Sequence, residues 1–223
     1  MHDDVTSSVV NARPGTESAR QGEHMRAFRV YWNSMRKGHD VPRRSDIDPR
    51  RIEPLLSNAF IAEQIAPGVT RLRIAGMHLS DVMGMEVRGM PISTLIAPAD
   101  REAFALHLVD LFDGPAALRF ELRSKVSVGR PEMTGTLLML PLRSDLGDVS
   151  RALGCLVTRG QIGRTSRRFE IISSHVEPLV AGRETHAMRA LPGGLAGRTS
   201  PPRDAADRVR ERKASRNHLR LVK

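Results

Sequence analysis

The stretch 32–64, WNSMRKGHDVPRRSDIDPRRIEPLLSNAFIAEQ, constrains this chain most. It opens with the only tryptophan, directly after the only tyrosine, Tyr31. Phe28, Tyr31, Trp32 and Met35 recur at helical spacing and predict a helix over 24–37, closed by Gly38. The connector that follows carries Pro42, Pro49 and several turn formers, so it reads as a loop. Asp48 suits a helix cap, with Pro49 in the first helical position. Ile52, Leu55 and Leu56 then mark a short helix. NAFIAEQI reads as a strand, because its apolar residues only roughly alternate and fit burial on much of both faces.

The remaining chain continues in short, well-punctuated pieces. Ala66-Pro67-Gly68 makes a tight turn into VTRLRIAG, which alternates Val69, Leu72 and Ile74 with Thr70, Arg71 and Arg73, so the pair predicts a hairpin. Short helices are predicted near 79–83 and 92–96, and a longer one over 98–114 with the stripe Phe104, Leu108, Leu111 and Phe112. Three strands follow in ALRFELRSKVS, EMTGTLLMLPL and RALGCLVTRG, the last two joined by the turn SDLGD. Two strands, helices, then three strands predict an α+β fold, an antiparallel sheet with helices on one face plus the N-terminal helix. IISSHVEPLV predicts one more short helix. The domain plan is a flexible tail over 1–24, a folded domain over 25–160, a short helical extension over 161–182 and a basic, mostly disordered tail over 183–223, with one helix over 205–213.

The net charge of +10 suggests a polyanion binder, but its distribution argues otherwise for the folded part. The tail 183–223 has eleven Lys/Arg against four Asp/Glu, and the remainder has twenty-four against twenty-one. Such a tail binds polyanions weakly through counterion release, and it has no aromatic residue for base stacking. A nucleic-acid-associated regulator is therefore the alternative reading. The single Cys155 excludes an internal disulfide, and its run ALGCLVT reads as core. No apolar run approaches the ~20 residues of a membrane helix, and the start of the chain has no apolar leader segment, so the expected location is the cytoplasm. Phosphate-binding glycine loops, nucleophile elbows, HExxH and CxxC are absent from the sequence, which points away from an enzyme.

Several words resemble one family. W-N-S-M-R at 32–36, R-S-D-I-D-P at 44–49, the strand ending in Glu63, R-L-R-I-A-G at 71–76 and M-G-M-E at 83–86 are similar to the PAS-like family widespread in alphaproteobacteria, formerly a domain of unknown function. The pieces run in order over about 25–160. The resemblance implies a five-stranded antiparallel sheet in order 2-1-5-4-3 and a role in sensing or protein interaction. It names no single cofactor, and none is assigned. The resemblance carries no functional residues; a regulatory protein partner or a homodimer is expected, with the helix face of Phe28, Tyr31, Trp32 and Met35 as the contact surface.

Two histidines are candidates for a cofactor. His107 lies in the long helix, where some haem-binding PAS domains place their iron ligand, and His78 is the second candidate. A semi-buried histidine without a ligand is the plainer reading of both. Neither has a partner at zinc-site spacing, so no metal is assigned. Flavin photochemistry would need a cysteine in the helical region, whereas Cys155 falls in the last strand of ALGCLVT. Met77, Met83, Met85, Met90, Met133 and Met139 suit either a greasy cavity or core filling, and core filling takes precedence. RRSDIDPRR packs four arginines around two aspartates. It could hold an anion through forked guanidinium contacts, but the favoured role is to fix the N-terminal helix against the sheet.

Overall fold

The computed structural model describes residues 14–38, 40–126, 131–163 and 166–179. The basic tail 183–223, with its predicted helix over 205–213, lies outside the described residues, as do residues 1–13.

The alternating segments form the strands β1 (Ala59–Ala66), β2 (Val69–Ala75), β3 (Ala116–Ser124), β4 (Met133–Arg143) and β5 (Val149–Arg159). Their sheet order is the expected 2-1-5-4-3, with one strand more. That strand, β6 (Glu170–Pro178), pairs antiparallel along β3, from Ala116 opposite Pro178 to Arg123 opposite Glu170. The helix expected in 161–182 is therefore replaced by a strand, and the sheet has six strands rather than five. The physical reason combines local propensity with a distant partner. Ile171, Ile172 and Val176 are β-branched and favour a pleated backbone, and β3 offers a full ladder of partners. A register shift opposite Glu121/Leu122 places Ile172 out of step, which hides the period-two signal.

The N-terminal helix also differs. α1 runs Pro14–Met35, so part of the expected flexible tail is helical. Pro14 stands in its first turn, where a missing N–H costs no hydrogen bond. Residues before Met25 offer no apolar stripe, but the Gln21 amide donates to Thr136 Oγ1 and to the Val157 carbonyl, both at 3.1 Å. These bonds tie the additional turns to the sheet.

Apolar residues on alternate sides of the strands build two cores. The inner face carries Phe60, Leu72, Phe120, Leu137, Met139 and Leu156. It is covered by α2 (Met77–Met83), the 3-10 turn Ile92–Leu95 and α3 (Arg101–Asp113), which supply Leu79, Val82, Leu95, Phe104, Leu108 and Leu111. The outer face carries Leu138, Leu140, Leu142, Leu153, Cys155 and Val157, and α1 covers it together with the 3-10 helix Pro49–Leu55. The predicted short helix after Asp48 is thus a 3-10 helix. Asp48 does cap it, accepting from the Arg50 N–H at 3.2 Å.

Two glycines permit the close packing of these layers. Gly154 of β5 faces Phe60 of β1, and a Cβ there would lie 2.0 Å from the Phe60 ring. Gly76, the last residue of R-L-R-I-A-G, leads from β2 into α2. A Cβ on it would lie 2.2 Å from the Leu56 carbonyl oxygen, which belongs to backbone and cannot rotate away.

The link between β5 and β6 is held by a residue that looks solvated in sequence. Arg167 is fully buried. Its guanidinium donates to the carbonyls of Ile162 (2.8 Å), Pro131 (2.6 Å) and Gln161 (2.8 Å), and its N–H donates to Val82 of α2 at 2.9 Å. One residue thus ties together the segments before β4 and after β5 through its side chain and α2 through its backbone.

Candidate functional site

Between the inner sheet face and α2–α3 the space is filled by side chains. Phe104 and Phe120 pack at 5.1 Å between ring centroids, tilted by 57°. Leu79, Val82, Ile92, Ile96, Met133, Leu137 and Met139 around the same core are all fully buried. Met83, Met133 and Met139 therefore act as core filling, while Met77 and Met85 are exposed.

His107 lies on α3 with its ring edge-on to Phe120, 5.4 Å between centroids. Its Nδ1 has no hydrogen-bond partner, and the nearest carboxylate, Asp110, is 3.9 Å away. Burial lowers its pKa below the ordinary 6.5, partly offset by Asp110. These surroundings do not fit a haem, because Phe104, Leu108 and Phe120 beside the imidazole are at 0–1% exposure and a macrocycle would have to displace them. His78, in the first turn of α2, places Nε2 3.0 Å from Thr158 Oγ1 on β5. Burial lowers its pKa too, with Asp81 opposing. It is a strut between α2 and the sheet. Among the described residues no three His, Cys, Asp or Glu gather at metal-binding geometry.

Cys155 occupies the middle of β5 on the outer face, fully buried, and burial pushes its thiol up to about 12. It packs as the small apolar residue its sequence context implied, on the opposite side of the sheet from α2 and α3.

The expected contact surface is corrected by the structure. Phe28 and Trp32 are at 0% exposure, Tyr31 at 6% and Met35 at 8%, all inside the outer core. The reason is amphipathicity itself: the only apolar stripe of α1 is needed to cover the sheet. Trp32 donates its indole N–H to the Pro141 carbonyl at 3.0 Å, and the Arg29 and Arg36 guanidinium groups lie over its ring at 5.4 and 5.2 Å. Tyr31 forms a two-way clasp with Asp48. Its hydroxyl donates to the Asp48 carbonyl at 3.1 Å and accepts the Asp48 N–H at 2.8 Å. Burial raises the phenol pKa, and Arg51 above the ring opposes that rise. RRSDIDPRR therefore does fasten the N-terminal helix.

An antiparallel sheet with helices packed over its inner face and an N-terminal helix on its outer face is the architecture of a sensor-type α+β domain. The sequence profile of the PAS domain family matches residues 20–157, more than half of the chain, and the protein belongs to that family of sensory signalling modules. Similar solved structures include a light-oxygen-voltage domain studied with a flavin analogue, at 19% identity over 50% of this chain and 84% of that chain, TM-score 0.39. An RNA-binding light-oxygen-voltage receptor is 17% identical over 55% of this chain and 35% of its own, TM-score 0.38. The light-state light-oxygen-voltage domain of the blue-light photoreceptor Aureochrome1 is 14% identical over 50% and 88%, TM-score 0.35. The curated proteins contain no match. No helix among the described residues is long and apolar enough to cross a membrane.

Proposed function

We propose that the protein is a non-catalytic regulatory module that acts in the cytoplasm by binding a regulatory protein, with α1 as the element that transmits the change. The observation that carries this reading is the division of the fold into a densely filled inner core and a separately clasped outer helix. A closely packed interior favours two discrete arrangements over gradual deformation. α1 is fastened by Tyr31, Trp32 and Gln21, so a partner that binds one arrangement better shifts its population.

Affinity capture with the full chain, followed by reconstitution with the purified candidate partner, tests this. The expected result is a binary complex with a regulatory protein and a change in Trp32 emission on binding. A chain that stays monomeric, recovers no regulatory protein and shows constant Trp32 emission sinks the reading.

A further inference from the structure

On the β1–β2 side of the outer face lies a cleft of ≈ 310 Å³ lined by four arginines, Arg44, Arg73, Arg88 and Arg151, with Ile61 and Ile74 beneath them. Glu63 stands beside it and is shared by two of them. Its Oε1 accepts from Arg151 at 2.8 Å, and its Oε2 accepts from Arg73 Nε. Glu86 accepts the Arg88 N–H at 3.0 Å and Asp148 feels the charge of Arg151, yet four guanidinium groups still outnumber these carboxylates. Among the described residues no carboxylate pairs with the Arg44 or Arg88 side chain, and both residues are exposed. Arg151 Nε is buried and has no hydrogen-bond acceptor. A buried donor without an acceptor is rare in a finished fold.

The two free arginines are held in place by backbone. The Arg143 N–H donates to the Pro42 carbonyl at 2.8 Å, and the Asp46 carboxylate accepts the Arg43 N–H at 2.8 Å, which fixes the turn Arg44–Asp46. On the other wall Gly89 donates to Leu72 at 2.7 Å and Leu72 donates to Met90 at 2.9 Å, so Arg88 is pinned to the edge of β2. The remaining side chains of RRSDIDPRR are engaged elsewhere: Arg50 pairs with Asp48 at 3.1 Å and Arg51 covers Tyr31. Arg44 is the one that turns to the cleft.

We propose that this cleft binds a small phosphate monoester, its phosphoryl oxygens held by Arg44, Arg88 and Arg151 and its organic part resting on Ile61 and Ile74. Guanidinium forks match phosphate oxygens in geometry, and a phosphate monoester carries about −1.5 to −2 charge near neutral pH, which suits two unneutralised arginines better than a monocarboxylate does. The volume is at the lower end of small-ligand sites, which are roughly 300–1,000 Å³. The partner reading above is independent of this site.

The test is calorimetric titration of the full chain with phenyl phosphate, inorganic phosphate and benzoate. Phenyl phosphate should bind tightest, more weakly as salt rises, with benzoate weakest. Arg44→Gln with Arg88→Gln should lower phenyl phosphate affinity about tenfold or more, since hydrogen bonds to charged groups are of that size. Arg26→Gln, the same charge change on α1 and outside the cleft, should leave it unchanged. Unaltered Trp32 emission verifies that the double variant is folded. Absence of phenyl phosphate binding at millimolar concentration, or equal loss in Arg26→Gln, overturns the site. Equal affinity for inorganic phosphate overturns the ester.

Discussion

On its inner face the sheet meets α2 and α3, and on its outer face it meets α1. The inner layer is a continuous excursion between β2 and β3, so both of its ends are anchored in strands. α1 runs into the connector after Met35, and among the described residues its bonds to the sheet come from side chains. Both sides use directed bonds besides apolar packing: His78 to Thr158 and Arg167 to Val82 on the inner side, Trp32 to Pro141, Tyr31 to Asp48 and Gln21 to Thr136 on the outer. A layer tethered at both ends cannot leave without breaking strands. A layer held to the sheet by side-chain bonds can open as a unit, and those bonds then set how often it does.

Trp32→Ala should have the largest effect, a loss of about 3–5 kcal/mol as for large aromatic truncations in cores. Urea unfolding combined with amide exchange is the check. α1 amides should lose protection before those of β4 and β5, and equal loss across all elements would erase the distinction between the layers. Gly154→Ala probes the other side, where the new methyl meets Phe60. Overpacking of this kind costs about 1–3 kcal/mol, and here exchange should rise in β1 and β5 while α1 stays protected. Tyr31→Phe removes the clasp to Asp48 without changing the packed ring, so a cost of about 0.5–1.5 kcal/mol confined to α1 is expected.

The smallest effect is acid dependence, and it belongs to the inner side. Burial holds the folded pKa of both His78 and His107 below 6.5, against the weaker pull of Asp81 and Asp110. The unfolded chain therefore binds more protons between 6.5 and the lowered folded values. Stability is full above 6.5 and falls as pH drops through that window. Urea midpoints near neutrality and near pH ~5.5 measure the slope, and His78→Gln with His107→Gln should flatten it. A slope that survives both substitutions assigns it to other groups.

Much of this arrangement was legible in the residues themselves. β3 alternates as read and the α3 stripe of Phe104, Leu108, Leu111 and Phe112 is buried as spaced, whereas of the β2 set Val69, Leu72 and Ile74 only Leu72 is buried and Thr70 is buried instead. Asp48-Pro49 marked a helix start that exists, although in 3-10 form. The failures share one cause, which is that long-range partners decided the outcome. β6 has a bulge that scrambles its alternation, and β3 supplies its pairing. The first turns of α1 have no apolar stripe and are held through Gln21. Phe28, Tyr31, Trp32 and Met35 form an apolar helix face, a pattern that is the same whether a second molecule or the chain's own sheet covers it. The arginine cleft draws on residues from 44 to 151, so no local window displays it. Arg167 resembles a solvated basic residue until its three carbonyl acceptors are assembled around it.

The sixth strand changes what the sheet exposes at its margin. Without it, β3 would present an open row of N–H and C=O groups beside the apolar Leu118, Phe120 and Leu122, which is a template for joining to a stranger's strand. β6 occupies that row and moves the margin onto Ser173, Ser174, His175 and Glu177, side chains poorly suited to recruiting a further strand. At its lower end the new rim is seated by Asp100, whose carboxylate accepts the Ile171 N–H at 3.0 Å. Among the described residues the sheet thus carries its own guard against indiscriminate fibre-like stacking, placed where a five-stranded sheet would have been open.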